Sequence, residues 1–164
     1  MSIQTLQQAY LKDSRVQQVT AAFSKEKGHF NLKGLEGSLL SLVGDALFKK
    51  MDRPFLFVFN DKEEAAYYLN DLEALVGEKD VLFYPGSYRR PYQIEETDNA
   101  NVLLRSEVLN RLSSRKKPAC IITYPEALFE KVITKKSLDK NTLKVKVGEE
   151  LSLDFVNEVL FEYQ

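Results

Sequence analysis

The sequence has little of the chemistry that builds metal sites and disulfides. It contains one cysteine, Cys120, and one histidine, His29. A single cysteine cannot form a disulfide within the chain, and zinc sites of the usual kind need several cysteines and histidines at fixed spacing. We therefore expect no metal site and a cytoplasmic protein, with Cys120 as a small core residue and His29 as a polar residue beside a turn.

An excess of charge of either sign is also missing, as is any long apolar run. The formal net charge is −1, from 23 basic and 24 acidic residues, so the chain lacks the positive field of a dedicated nucleic-acid arm or membrane-surface binder. Its first residues lack the apolar stretch of about 7 to 15 residues that marks a signal peptide. No apolar run reaches the ~18 residues that a membrane span requires. We expect a soluble protein with no membrane partner.

The residues that are present indicate an α/β protein. With 164 residues, 44% of them apolar, the chain is long enough for one folded domain and part of another. Short apolar runs alternate with segments of helical periodicity, and this alternation is typical of helices that cross over between parallel strands. The predicted strands are residues 55–59, 81–84 and 119–124. The predicted helices are one or two surface helices in 2–23, a helix opened by the glycine turn that carries Leu39, Val43, Ala46 and Leu47, and a helix after Asn60 that stops at Gly77. Two more helices are predicted: one capped by Thr97 or Asp98 that closes near Ser113 and Ser114, and a brief one at about 125–132.

Three local patterns give more specific expectations. The uninterrupted apolar run of residues 55–59 predicts a strand buried on both faces. Asn60, followed three residues later by Glu63, resembles a capping box at a helix start. In the helix near residues 98–113, Leu104, Val108 and Leu112 are spaced by four and predict the buried stripe of that helix.

The character of the chain changes after residue 131. Residues 131–148 hold six lysines and one aspartate, whereas residues 149–164 hold five acids and no base. Residues 142–147 alternate as a strand with one exposed face, and the final segment has the pattern of a helix. We predict one domain over residues 1–133 and the start of a small α+β domain over 134–164. We also expect the polypeptide to continue beyond Gln164.

Residues 34–41, Gly-Leu-Glu-Gly-Ser-Leu-Leu-Ser, have the outline of a phosphate-binding loop. A working loop reads G-x-x-x-x-G-K-S/T: its backbone N–H groups cradle phosphates, its lysine reaches the terminal phosphates and its hydroxyl binds magnesium. Aligned on Ser41, this sequence has Leu39 in place of the second glycine and Leu40 in place of the lysine, and Glu36 adds negative charge. Losing the lysine removes a charge-assisted contact of roughly 1.5 to 3 kcal/mol. We therefore expect no bound ATP or magnesium and no catalysis.

The simplest interpretation of these positions is structural. In it, Gly34 and Gly37 form a strand-to-helix turn, and Ser38, Leu40 and Ser41 begin the helix. Adjacent acid pairs such as Glu63 and Glu64 do not suggest acid/base chemistry, because neighbours on a helix point apart and no nucleophile accompanies them.

Six segments in order resemble the amino-terminal region of the bacterial transcription-repair coupling factor, a family of large motor proteins. They are the glycine turn, PFLFVFND, LFYPGSYRRPYQIEETDN, NVLLRSEVLNRL, ACIITYPEAL and LKVKVGEELSLDFVNEVL. The resemblance spans roughly residues 28 to 164. It implies a UvrB-like, degenerate helicase domain within residues 1–133 and the beginning of a UvrA-binding type of domain in 134–164.

The resemblance also implies what the longer protein does. Such a protein displaces stalled RNA polymerase on double-stranded DNA, recruits UvrA for nucleotide excision repair, and hydrolyses ATP with magnesium in helicase domains far downstream. This chain contains none of those motor motifs. The long tyrosine-rich hairpin by which UvrB clamps DNA is replaced by the shorter residues 84–99, and the family's UvrA contacts fall mostly after residue 164. We expect a partner-binding and regulatory module without activity of its own.

Basic and aromatic residues suggest a second hypothesis, an autonomous nucleic-acid-binding α/β domain. Aromatic faces stack on bases and arginines contact phosphates. The candidate contacts in the loop are Tyr88, Arg89, Arg90 and Tyr92, with Arg105, Arg111, Arg115, Lys116 and Lys117 as an extension. For Arg105 an internal salt bridge is the alternative, and for the others a solvated surface.

The lysines after residue 130 give a further candidate contact surface. It would dock UvrA or another part of the same polypeptide, although a solvated surface explains the same residues. Its members are Lys131, Lys135, Lys136, Lys144 and Lys146. An ATPase with an atypical loop is a third hypothesis, but no residue at suitable spacing replaces the missing lysine.

Overall fold

The fold is taken from a computed structural model that describes residues 2–25, 28–88, 97–114, 117–132, 134, 136–137, 143 and 145–162. The chain divides into two compact units, Met1–Glu130 and Lys131–Gln164. This division lies close to the domain boundary predicted after residue 133. The identification of the units as a UvrB-like domain and the start of a second domain stays a prediction.

The first unit is built on a three-stranded parallel sheet. The strands are β1 (Phe55–Val58), β2 (Val81–Phe83) and β3 (Cys120–Thr123), in the order β1-β3-β2. In the register, Cys120 lies beside both Phe55 and Val81. The α/β class and the parallel pairing are therefore confirmed. All three strands end at the same edge of the sheet, where ligand sites of parallel sheets usually lie.

Seven α-helices and one short 3-10 helix with defined bounds accompany these strands in the described part of the chain. They are α1 (Ile3–Lys12), α2 (Ser14–Lys25), α3 (Leu39–Met51), α4 (Lys62–Val76), α5 (Asn99–Ser114), α6 (Pro125–Phe129) and α7 (Leu153–Glu162), and the short 3-10 helix Glu78–Asp80 precedes β2. α4 connects β1 to β2 and α5 connects β2 to β3, as parallel pairing requires.

The main core forms around the central strand. Every residue of β3 is buried, and Ile122 is 0% exposed. On one face of the sheet the phenyl rings of β1 and the residue after it meet α3 and α4, with the rings of Phe59 and Tyr68 stacked at 4.4 Å between centroids. Burial of such side chains is the main stabilising contribution, about 1.5–3 kcal/mol each.

The two amino-terminal helices cover the outer side of α3. Val16 of α2 is 5% exposed and packs in a second cluster with Val43, Ala46 and Leu47 of α3. The prediction of one or two helices over residues 2–23 is confirmed. The structure also shows that these helices pack against α3. α3 lies between the main core and the α1–α2 pair, and this explains why it buries residues on several sides.

The start of α4 differs from the predicted capping box by one residue. Asp61, and not Asn60, is the N-cap, and its carboxylate accepts a hydrogen bond from the Glu64 amide at 2.7 Å. The carboxylate of Glu64, and not that of Glu63, accepts from the backbone amide and the side-chain amide of Asn60. The structure therefore has one half of a capping box, the Asp61 cap, while Glu64 reaches back to Asn60, one residue before the cap.

The strand over residues 55–58 is buried on one face only, which contradicts the sequence prediction. Leu56 and Val58 are 56% and 50% exposed. β1 lies at the edge of the sheet, and the helix that covers this face, α5, packs over β2. The predicted stripe of α5 is also only partly buried, since Val108 is 2% exposed but Leu104 and Leu112 are 36% and 44% exposed.

The second unit contains one well-defined helix in its described residues, α7, which the sequence pattern predicted. Of the strand predicted over residues 142–147, Thr142 and Lys144 lie outside the described residues. Leu143, Val145, Lys146 and Val147 are exposed and are not in a strand. Lys146 and Glu149 are instead joined by a turn, in which the amide of Lys146 donates to the Glu149 carboxylate at 3.2 Å.

Candidate functional site

The glycine loop precedes α3 but does not follow a strand. Residues 28–36 are irregular and mostly exposed, so the predicted strand-to-helix turn is wrong on its strand side. Gly34 and Gly37 have φ values of 79° and 54°, in the left-handed region that favours glycine. The carbonyl of Gly37 accepts a hydrogen bond from the Tyr68 hydroxyl at 3.3 Å, which ties the loop to α4.

The residues at the lysine and hydroxyl positions of the loop point into the protein. Leu40 packs against the main core. Ser41 is 1% exposed, and its hydroxyl donates to the Asp71 carboxylate on α4 at 3.2 Å. Ser38 lies at the start of α3, is exposed and makes no side-chain cap. Leu40 and Ser41 thus join α3 to the core and to α4.

The most organised polar cluster lies at the carboxyl edge of the sheet and was not predicted as a site. Arg105 of α5 is 7% exposed, and its guanidinium donates to the carbonyls of Pro85 at 2.8 Å and Ala127 at 3.0 Å. It also lies 3.5 Å from the Glu130 carboxylate and 4.1 Å from the centre of the Tyr84 ring. The prediction of an internal salt bridge for Arg105 is confirmed, and its nucleic-acid role is wrong.

Glu130 completes this cluster from the other side. Its carboxylate accepts hydrogen bonds from the Ser87 amide at 2.7 and 2.9 Å and from the Ser87 hydroxyl. The amide of Gly86 donates to the Tyr124 hydroxyl at 2.9 Å. A Cβ at Gly86 would lie 2.9 Å from a Glu130 carboxylate oxygen and 3.4 Å from the Tyr124 hydroxyl oxygen, so a side chain here would displace the Glu130 carboxylate.

The cluster is a low-solvent environment, as the two tyrosines in it show. Burial raises the pKa of Tyr84, opposed by the positive charge of Arg105. Burial also raises the pKa of Tyr124, opposed by its hydrogen bond from Gly86. Both phenols therefore stay neutral near pH 7, and the charged members of the cluster are Arg105 and Glu130.

The cluster holds the two ends of the loop after β2 together. Tyr88 and Thr97 form an antiparallel bridge, and the amide of Asp98 donates to the Ser87 carbonyl at 2.8 Å. The side chain of Asp98 accepts hydrogen bonds from the Ala100 and Asn101 amides and caps α5. Arg89, Arg90 and Tyr92 belong to this loop and lie outside the described residues.

The other basic candidates are placed separately. Arg111 donates to the Lys79 carbonyl at 2.7 Å and lies 3.4 Å from Asp80, so it links α5 to the segment before β2, and its role as a nucleic-acid contact stays a prediction. Lys117 is exposed, and so are three lysines of the second unit, Lys131, Lys136 and Lys146. Arg115, Lys116, Lys135 and Lys144 lie outside the described residues.

A buried acid, Asp45, lies on α3 and was not predicted from the sequence. Asp45 is 1% exposed, and its carboxylate lies 2.8 Å from the Lys49 ammonium and accepts from the Gln7 side chain at 3.0 Å. The same Gln7 amide donates to the Leu75 carbonyl at 2.7 Å. These bonds join α1, α3 and the end of α4. The i, i+4 spacing of Asp45 and Lys49 was the one sequence signal for this contact.

The described residues contain neither a reactive thiol nor a cluster of metal ligands. Cys120 is 0% exposed, and burial raises the pKa of its thiol to about 12, so the thiolate that a nucleophile needs does not form near pH 7. His29 is exposed. In the part of the chain that the structure describes, no three histidine, cysteine or acidic side chains come together as metal ligands, and no helix has the length and apolarity to cross a membrane.

Comparison with known proteins relates the chain to one kind of repair protein. It is similar to the transcription-repair-coupling factor of Bacillus subtilis (strain 168), with 25% identical residues over 132 residues. The match covers 80% of this chain but only 11% of that protein. No family model matches the chain, and no solved structure matches it. The chain is thus distantly similar, over about a tenth of its relative's length, to the family that the sequence segments resemble.

Proposed function

We propose that this chain is a non-catalytic module for binding partners within the machinery that couples transcription to DNA repair. The observation that carries the proposal is the similarity to a transcription-repair-coupling factor over 80% of the chain. It agrees with the six sequence segments that suggest the same family. The fold is compatible with this role, since the chain forms an α/β unit and a second small unit.

The glycine loop supports the absence of catalysis. The lysine position is occupied by Leu40, which packs in the core, and the hydroxyl position by Ser41, which is bonded to Asp71. A nucleotide site at this loop would need a cation and a free hydroxyl at these places. We infer that a UvrB-like helicase domain has here become a platform, and that ATP hydrolysis and magnesium binding belong to other parts of a longer protein.

The partners follow from the family. We propose that the longer protein displaces stalled RNA polymerase with an ATP-driven translocase on double-stranded DNA and recruits UvrA. This chain would contribute contacts to UvrA or to other domains of the same polypeptide. The test is capture of purified UvrA on the immobilised chain, with bovine serum albumin as a matched acidic control. Capture that persists at moderate salt supports the proposal, and equal retention of the control protein refutes it.

Mixing the chain with ATP and magnesium is expected to give no binding heat in isothermal titration calorimetry. The physical reason is the missing lysine, whose charge-assisted contact contributes roughly 1.5 to 3 kcal/mol in working loops. The Gly37→Val variant, which strains the backbone at a φ of 54°, should likewise give no binding heat. Micromolar binding that Leu40→Ala leaves intact but Gly37→Val abolishes would show that the loop still holds a nucleotide.

A nucleic-acid-binding domain is the second candidate, favoured by one observation. The loop that contains Arg89 and Arg90 starts and ends at a bridge between Tyr88 and Thr97, beside the Arg105 and Glu130 cluster. An anchored loop with arginines and tyrosines suits stacking and phosphate contact. Gel-shift assays at low salt with single- and double-stranded DNA test it. DNA binding that is lost in Arg89→Ala/Arg90→Ala but kept in Lys62→Ala/Lys79→Ala would favour this candidate, and no shift at low salt rejects it.

A further inference from the structure

The helical pair α1–α2 packs on the first unit with little buried surface of its own. Among residues 2–24, Val16 is the one buried side chain, and α1 contributes none. Val16 belongs to a cluster with Val43, Ala46 and Leu47 of α3, and the buried residues of this cluster are separate from those of the main core around β3. Segments with few buried apolar contacts open more readily than the rest of a protein. Loss of this cluster would leave the buried residues of the main core in place.

The packing beneath α1–α2 is also incomplete. A cavity of about 300 Å³ lies beside Val16 and Val43, between α1–α2 and residues 31–35. Residues 28–36 are irregular and mostly exposed, so they add little cover. Side chains that line a cavity lack the contacts that a filled core provides. α2 is therefore held less tightly than α4, which buries Ala65 and Leu72 in the main core.

A polar contact fastens α1 where this apolar packing is thin. The side-chain amide of Gln7 donates to the Asp45 carboxylate at 3.0 Å and to the Leu75 carbonyl at 2.7 Å, which uses both of its N–H groups. Leu75 is the next-to-last residue of α4, where helix carbonyls lack a partner within the helix. Hydrogen bonds to charged groups such as the Asp45 carboxylate are stronger than those between neutral groups. Breaking the two bonds of Gln7 would free α1 from both α3 and α4.

We propose that α1–α2 is a displaceable cover of α3, and that Gln7 is the latch that keeps it closed. In the closed state the cover keeps Val43, Ala46 and Leu47 buried. In the open state Gln7 leaves Asp45 and Leu75, and this outer face of α3 meets solvent while the main core stays packed. The latch thus controls access to an apolar face that the closed chain hides.

Contacts within the cover favour opening of its two helices together. Asp13 lies between α1 and α2, and its carboxylate accepts hydrogen bonds from the Arg15 and Val16 amides at the start of α2. At the other end, the Ser2 side chain accepts from the Thr5 amide and caps α1. None of these contacts involves α3, so they persist when the cover leaves it.

Thiol labelling with DTNB tests whether the cover opens. Ala46→Cys lies under the cover and Ala65→Cys lies in the main core, and the two alanines are 1% and 0% exposed. Because both are helical and buried, they differ mainly in what covers them. Ala46→Cys should react at least about tenfold faster than Ala65→Cys. The native Cys120, also in the main core, is present in both proteins and reports opening of that core.

Gln7→Glu tests the latch. The ionised carboxylate is similar in size to the amide but cannot donate a hydrogen bond, and it places negative charge against Asp45. Labelling of Ala46→Cys should quicken at least about tenfold in this variant, while labelling of Cys120 stays within about twofold. Gln8→Glu, at the adjacent exposed position of α1, adds the same charge. As the matched control, it should leave both rates within about twofold.

Native-state hydrogen exchange followed by NMR gives a second measurement that needs no added cysteine. The amides of α1 and α2 should exchange through an opening with a weak dependence on denaturant, whereas those of β3 should exchange through global unfolding. Equal free energies of exchange in α1, α2 and β3 overturn the proposal of a displaceable cover. Exchange in α1 and α2 without faster labelling of folded Ala46→Cys overturns it too, since the helices would then fray without uncovering α3. Equal effects of Gln7→Glu and Gln8→Glu on exchange in α1 overturn the latch.

Discussion

Replacing Arg105 with methionine is expected to lower the free energy of unfolding by about 3–5 kcal/mol. The guanidinium is buried and holds two carbonyls, Pro85 and Ala127, while offsetting the charge of Glu130. Methionine keeps much of the aliphatic packing but leaves the Glu130 carboxylate, 14% exposed, without its positive partner. Urea unfolding followed by tyrosine fluorescence measures the loss, because Tyr84 lies directly against Arg105.

Arg111→Met is the matched control for this experiment. Arg111 lies six residues further along α5 and also contacts an acid and a carbonyl, but its side chain is 24% exposed and its partner Asp80 is 42% exposed. Solvated pairs of this kind contribute about 0–1 kcal/mol. Equal losses in the two variants would mean that burial of the Arg105 cluster does not set its contribution.

Lys49→Met is expected to cost about 2–4 kcal/mol, the second largest effect of a single substitution. It leaves the Asp45 carboxylate, 1% exposed, with the Gln7 amide as its remaining hydrogen-bond donor. Removing one partner of a buried pair strands the other charge in a poorly solvated place. Thermal and urea unfolding of the variant measure the loss.

The double variant Asp45→Leu/Lys49→Met should recover part of that stability. Replacing a whole buried pair with apolar residues is often close to neutral, and Gln7 keeps its bond to the Leu75 carbonyl. Lys50→Met, at an exposed neighbouring position, should change stability by less than about 0.5 kcal/mol. A double variant less stable than Lys49→Met would show that Asp45 stabilises the chain mainly through Gln7.

The sequence predicted the elements of the first unit well, because apolar runs and helical spacing are local signals. It could not predict which strand would lie in the middle. Residues 55–59 and 119–124 have similar apolar character, yet β3 is fully buried and β1 has one exposed face. The difference comes from the strand order β1-β3-β2, which depends on crossovers and not on the residues of either strand.

The candidate site was less predictable, for a related reason. Arg105 was expected to form an internal ion pair, but its partner Glu130 follows 25 positions later, and the contact of Glu130 with Ser87 spans 43 positions. No periodic pattern connects such residues. For the glycine loop a local pattern was present but misleading. Its residues suggest a strand-to-helix turn, whereas residues 28–36 form no strand. The UvrB-like character of the domain stays a prediction.

The position of Glu130 has a mechanical consequence. It is the last residue of the first unit, and its carboxylate is fastened to Ser87 and lies beside Arg105. A pull on the chain after residue 130 would therefore act on the Glu130 side chain, and through it on Ser87 and Arg105, as well as on the backbone that leads back to β3.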